Sequence, residues 1–246
     1  MTSSVKPIFL FADSQLLFWQ QDEVYFLREV VHDLIERDEP CAAYMGASND
    51  YNPEFYGIFV VAMEILGIKA CCMIPATASE DDLKFLRAAD LILLAGGDAV
   101  KGWRAFEANG LRELLVERYF GGAILMGVSA GAMQLGLYAW PEGEPTSESL
   151  TSTLGLAPFI IGAHDEKREW AELRRALGLA KTNFPAIGIP TGGGMIYHAD
   201  HSVQPLRLPL QEFWFEGGEL RASLLYPDGG DDNDEQNEIA EAPYVS

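Results

Sequence analysis

Short apolar runs alternate along this chain with segments of mixed polarity. The runs "KPIFLFA", "PCAAYMGA", "KACCMIPA", "DLILLAGG" and "GAILMGVS" carry almost no charge, the pattern of strands covered on both faces. Between them lie helix candidates. Residues 21–38, "QDEVYFLREVVHDLIERD", repeat apolar positions at steps of three and four. Residues 51–67, "YNPEFYGIFVVAMEILG", end on a glycine suited to a helix C-cap. "SEDDLKFLRAA" opens with Ser79 and three acids, which is favourable N-terminal chemistry. Residues 99–120 hold one or two further helices. Alternation of this kind predicts a three-layer α/β fold, a mostly parallel sheet with helices on both faces.

Beyond Ser129 the pattern is less regular. A loop rich in Pro, Glu, Ser and Thr (141–153) leads into "LGLAPFIIGAH", and a charged helix, "DEKREWAELRRALG", follows. "PAIGIPTGGGMIYH", "VQPLRL", "EFWF" and "ELRASLLY" then read as strands and hairpins. The expected organisation is one α/β domain over residues 1–226 and a disordered acidic tail over 227–246. There is no internal repeat.

Composition narrows the function classes. With 48% apolar residues and 11% aromatics, the 246-residue chain can bury a sizeable core. No run approaches 18 uncharged apolar residues, so no membrane span is expected, and the N-terminus reads as a first strand rather than a signal peptide. Cys41, Cys71 and Cys72 are an odd count without CxxC spacing, which suits a reducing, cytoplasmic setting. The net charge is −20, of which the tail supplies seven acids, leaving about −13 on the body. Such a surface repels nucleic acid and anionic membranes. It attracts cations, although solubility alone accounts for a charge of this sign.

The segment "GGAILMGVSAGAMQL" carries the clearest chemistry. A serine hydroxyl is a poor nucleophile until a base takes its proton and donors stabilise the oxyanion. A strand turning abruptly into a helix exposes the serine and points N–H groups at that oxyanion, and the crowded turn demands glycine two positions either side. Gly127 and Gly131 occupy those positions around Ser129, with a strand before and a helix after. The competing reading is a small residue packed between strand and helix.

Four histidines could serve as base. His32 lies on an ordinary amphipathic segment. His164 ends an apolar run, where a strand would bring it to a sheet edge, either as a base or as a polar cap. His198 and His201 share the turn "YHADH", too few ligands to argue for a metal, and none is expected. Gly96-Gly97 closes another strand, so Gly97 offers a second oxyanion N–H, or simply a tight turn with Asp98 as helix N-cap. "PTGGGM" lacks the ending of a phosphate loop and no GxGxxG occurs, so no nucleotide or other cofactor is expected.

"LILLAGGD", "ILMGVSAGAM", "LGLAPFIIGAH" and "EKREWAELRRAL", in this order, resemble the peptidase E and cyanophycinase family of serine peptidases, whose fold is similar to class I glutamine amidotransferases. The resemblance implies Ser129 as nucleophile, His164 as general base, and Gly97 and Ala130 as oxyanion donors. It places Arg168 and Asp98 in the substrate-binding region, where Arg168 either holds a carboxylate or is a helix-surface charge. It further implies a small peptide substrate, an aspartyl peptide in particular, and a homodimer as an expected assembly without an identified interface. Three positions depart from the family pattern. Ala95 replaces a glycine. The stretch between His164 and Glu166-Lys167-Arg168-Glu169 is short. Thr191 stands where the family carries the Glu or Asp that orients the histidine, and loss of a triad acid costs about 10⁴ in turnover in serine proteases. Thr191 as a neutral partner, or Glu144, Asp165 or Asp200 as a substitute acid, are the alternatives. A binding or regulatory relative with weakened catalysis is the competing function.

Overall fold

The computed structural model describes residues 5–143 and 145–227. All five early apolar runs become strands of one sheet. In spatial order these are Ala70–Ile74, Cys41–Met45, Leu91–Leu94, Ile124–Val128 and Ile8–Phe11, parallel throughout. Gly194–Tyr197 adds antiparallel to Ile8–Phe11, and Val203–Leu206 closes that edge.

The side-chain alternation of these strands feeds two cores, as it must for a sheet covered on both faces. Phe9, Phe11, Tyr44, Leu93 and Met126 point to one side, where α1 (Phe26–His32) and α2 (Pro53–Ile65) contribute Leu27, Phe59 and Met63. Ile8, Leu10, Met45, Leu94 and Leu125 point to the other. There α3 (Glu80–Ala88), α4 (Ala99–Ala108), α5 (Leu111–Phe120) and α6 (Ala130–Leu135) supply Leu86, Trp103, Leu115 and Leu135. The N-terminal chemistry expected at Ser79 forms, and Asn52 adds a second cap. Asn52 accepts from the Glu54 N–H ahead of Pro53, and Ser79 and Asp82 make a reciprocal capping box.

Three features differ from the sequence expectation. The charged helix read over residues 165–178 is broken by the left-handed φ of Glu169 and Trp170, 53° and 60°, and starts at Ala171. The helix read over residues 21–38 shrinks to seven residues, because Asp22 and Glu23 adopt left-handed φ of 51° and 65° and turn a short hairpin, Gln20–Gln21 against Val24–Tyr25. Apolar spacing continues through that turn, so periodicity alone does not reveal it. The later strands also build a second sheet, in the order Ile160–Ala163, Ala186–Ile189, Leu210–Glu216 and Glu219–Leu225. Its first pair is parallel and the rest antiparallel. Trp170, Leu173 and Leu177, from α7 (Ala171–Ala180) and the residue before it, pack on this sheet with Ile160, Ala186 and Phe213. The tail from 228 onward and Glu144 lie outside the described residues. No helix among the described residues is long and apolar enough to cross a membrane.

Candidate active site

Val128 ends the central strand, Ala130 begins α6, and Ser129 makes the turn between them with φ 50° and ψ −108°. That combination is unfavourable for a side chain with a Cβ and is held by its surroundings. The Ser129 N–H donates to Phe11 O at 2.8 Å, and its carbonyl accepts from Ala132 N at 2.9 Å. The two flanking glycines are required by contact. A Cβ on Gly127 would stand 2.6 Å from backbone atoms of Gly131 and Ala132, and one on Gly131 would overlap the Leu94 carbonyl. The elbow is therefore built as its spacing suggests.

His164 follows the Ile160–Ala163 strand of the second sheet, on its edge, and its N–H donates to Ile189 O at 2.9 Å. Its own φ is 47°, which turns the chain off the strand. Ser129 Oγ and His164 Nε2 lie 2.8 Å apart. For the hydroxyl to donate to Nε2, the neutral ring must carry its proton on Nδ1.

Gly97 sits at the end of the adjacent Leu91–Leu94 strand with φ 130°, and a Cβ there would overlap the Ser48 carbonyl. Asp98 caps α4 by accepting from the Lys101 N–H at 2.9 Å, so the structural reading of that residue holds alongside its place at the site rim. Among the described residues, neither the Gly97 nor the Ala130 N–H donates to another group.

The remaining candidates divide clearly. Thr191 is exposed, and its hydroxyl and backbone amide face the carboxylate of Glu166. Burial pushes the Glu166 carboxyl up, but the Thr191 groups and the charge of His164 together hold it below the ordinary carboxylate value. One oxygen of that carboxylate, Oε2, is buried without a hydrogen-bond partner. Glu166 was not among the acids singled out in the sequence. A carboxylate two residues past a strand-end histidine was the available signal. Asp165 instead turns to Arg168, accepting from its Nε at 2.7 Å. Arg168 also pairs with Glu172 at 2.7 Å, so the guanidinium expected to meet a substrate carboxylate is engaged by two of the chain's own. Asp200 accepts from Ser202 in the turn beyond Tyr197. Because Tyr197 pairs with Ile8 while Gly194 pairs with Phe11, that turn lies at the opposite end of the strands from Ser129. His198 and His201 share it, bonded to Gln204 and Tyr197. The thiols are remote from this chemistry, and burial raises Cys71 to about 11.

Two depressions meet at the Ser129–His164 pair. One, of about 260 Å³, is walled by Leu17, Tyr44, Phe59, Leu93 and Val128, with Asp13 at its side. The other, of about 420 Å³, runs past Asp98, Trp140, Glu142, Asp165, Arg168 and Glu172.

A serine on a strained strand-to-helix turn, in contact with a histidine, makes this a candidate serine hydrolase site on an α/β fold. Residues 39–204 match peptidase family S51, and the chain belongs to that family. It is 32% identical over 136 residues to peptidase E of Streptomyces coelicolor, a match covering 50% of this chain and 55% of that relative's length. Its fold is similar to that of a peptidase from an acI-B1 actinobacterium, with a TM-score of 0.64 and 18% identity over 89% of this chain and 98% of that one. It is also similar to a candidate peptidase E protein from Listeria monocytogenes EGD-e, with a TM-score of 0.59 and 17% identity over 83% and 100% of the two chains.

Proposed function

We propose that this chain hydrolyses an amide bond of a small peptide through an acyl-enzyme on Ser129. The single observation that carries the reading is the 2.8 Å contact between Ser129 Oγ and His164 Nε2 at a strained elbow. Ser129 Oγ attacks the carbonyl carbon while its proton passes to Nε2, and the oxyanion is met by the N–H groups of Gly97 and Ala130. Collapse breaks the C–N bond, and the amine leaves with the proton from Nε2. Water then repeats the sequence on the ester and releases the acid.

Glu166 is the positioning residue for His164 in this scheme. Once Nε2 accepts the serine proton, the ring is cationic and needs a carboxylate nearby. The influence of the His164 charge on Glu166, and the unpaired buried Oε2, support that role. Thr191 then anchors the acid by its hydroxyl and amide, where relatives place the acid itself. The competing reading, a binding relative without turnover, rests on the absence of an acid at position 191, and the measurement below separates the two.

The test is amine release from a panel of short peptides, aspartyl and non-aspartyl, by the wild type and Ser129→Ala in parallel. Serine-dependent release is the expected result. Absence of release by folded wild type, or equal release by the variant, would remove the proposal.

A further inference from the structure

Gln134, one turn beyond Ala130 on α6, has no exposed surface. A buried amide is costly unless it is bonded, so its partners show what it holds. Its Nε2 donates to Ala99 O at 2.9 Å and to Ser48 Oγ at 3.0 Å. Chemistry fixes that orientation, because the Ala99 carbonyl can only accept. Oε1 is left buried without a partner, so the amide sits here for its two donated bonds.

Both bonds run to the segment that carries Gly97. Ala99 is the first residue of α4, two positions past Gly97. Ser48 lies in the short turn Ala47–Asn49, and its carbonyl accepts from the Asp98 N–H at 2.8 Å. The same carbonyl fills the space that a Cβ on Gly97 would need. Gly102 stands inside α4, where glycine weakens a helix, because the Ser48 hydroxyl and Gln134 Nε2 occupy the place of its side chain. The contact therefore has two independent marks, a buried amide on one helix and a glycine on the other.

Resting on the reading of Ser129 as nucleophile and of Gly97 and Ala130 as oxyanion donors, we infer that Gln134 and Ser48 are positioning residues that lock the Gly97 N–H to the helix of the nucleophile. Neither lines the depressions beside Ser129, so neither touches the reacting atoms. Helix α6 sets one oxyanion N–H directly, through its first residue, Ala130. It sets the other through Gln134, which ties the start of α4 to the same frame. An oxyanion donor works only when held at about 2.7–3.1 Å from the developing charge, so slack in this tie slows the chemical step.

Labelling of Ser129 by a fluorophosphonate tests this without a known substrate, since the phosphoryl oxygen takes the place of the oxyanion. Intact mass followed against time and reagent concentration gives a saturating rate, an apparent affinity and the fraction labelled. Gln134→Met, close in volume, should slow the saturating rate by roughly tenfold or more, with affinity within about threefold of wild type and labelling still reaching completion. Ser48→Ala keeps the bond to Ala99 O and should give a smaller loss of the same kind. Thr153→Val is the control. Its hydroxyl donates to Gly136 O at 2.8 Å at the far end of α6, so the variant should lose stability and keep the wild-type rate. A merely structural Gln134 would leave a reduced labelled fraction reacting at the wild-type rate. That result, or equal slowing by Thr153→Val, would overturn the inference and leave the nucleophile reading intact. Should Gln134→Met fail to fold, Ser48→Ala decides alone, and a wild-type rate there overturns the inference. A folded wild type whose Ser129 takes no label would remove the nucleophile reading and this inference together.

Discussion

Ser129 Oγ meets His164 Nε2 at 2.8 Å although the two residues belong to different sheets. The serine is fixed by the seven-stranded sheet and α6, and the histidine by the edge of the four-stranded sheet. The site is therefore a junction, and its precision depends on how α6 packs against the Ile160–Ala163 strand. The Leu137 N–H, just past the end of α6, donates to Phe159 O, just before the strand, at 2.9 Å and ties the two elements together at their ends away from the pair.

Removing either member of the pair should abolish turnover and spare the fold. Ser129→Ala and His164→Ala are each expected to lower kcat by about 10³ or more, judging from serine hydrolases generally. Both side chains face the depressions rather than a core, so thermal unfolding should change little. A variant that keeps a tenth of wild-type activity would place the nucleophile or base elsewhere.

Glu166 and Thr191 make a sharper prediction, because a merely structural role and a positioning role separate in the readout. Glu166→Gln should lower kcat far more than it raises KM, and should distort the acid limb of the pH profile. Thr191→Glu added to Glu166→Gln moves the acid to the position used by relatives and should recover part of the loss. If the double variant is no better than the single one, and the single one has an unaltered pH profile, Glu166 is not acting on His164.

The glycines of the elbow give a stability prediction with a built-in control. Gly131→Ala forces a methyl into the Leu94 carbonyl, and a loss of about 1–3 kcal/mol is expected. Gly57→Ala, in the middle of α2 with open space around a new Cβ, should stabilise by about 0.5–1 kcal/mol through helix propensity. Urea unfolding of the two variants against wild type checks both signs.

These contrasts also show what was legible in the chain and why. Four of the five parallel strands could be read because burial on both faces leaves runs such as "LILL" and "AILM" without charge; the edge strand Ala70–Ile74 is equally uncharged but, against expectation, only its last residue is fully buried. The elbow could be read because its crowding forces glycine at two fixed offsets from Ser129. The second sheet could not. A strand's period says that Ile160–Ala163 is extended, but its pairing with Ala186–Ile189 is a long-range choice that no local pattern encodes. For the same reason, His164 could be named as base only from a family resemblance. Glu166 escaped because Asp165 is nearer in sequence. The left-handed φ of His164 and the one-turn helix Glu166–Arg168 decide which carboxylate turns toward Thr191 and which toward Arg168.

Acid sensitivity should follow from two carboxylates held below their ordinary values. Asp82 is lowered by the Ser79 hydroxyl and then by the Ser79 N–H, from an ordinary 3.8. For Glu166, burial pushes upward, but the Thr191 groups and His164 bring it below an ordinary 4.5. In both cases the unfolded chain binds protons more readily than the folded one, so stability falls as the solution is acidified through these values. The contribution of each group is fully present above its ordinary value and is lost as pH drops through the lowered one. Asp82→Asn and Glu166→Gln should therefore unfold at lower urea than wild type near pH 7. The three curves should converge as the pH falls below the lowered values, where wild type has itself lost the charges. Curves that stay parallel across that range would mean that neither carboxylate is linked to folding, and that the capping box and the Thr191 contact stabilise without regard to charge.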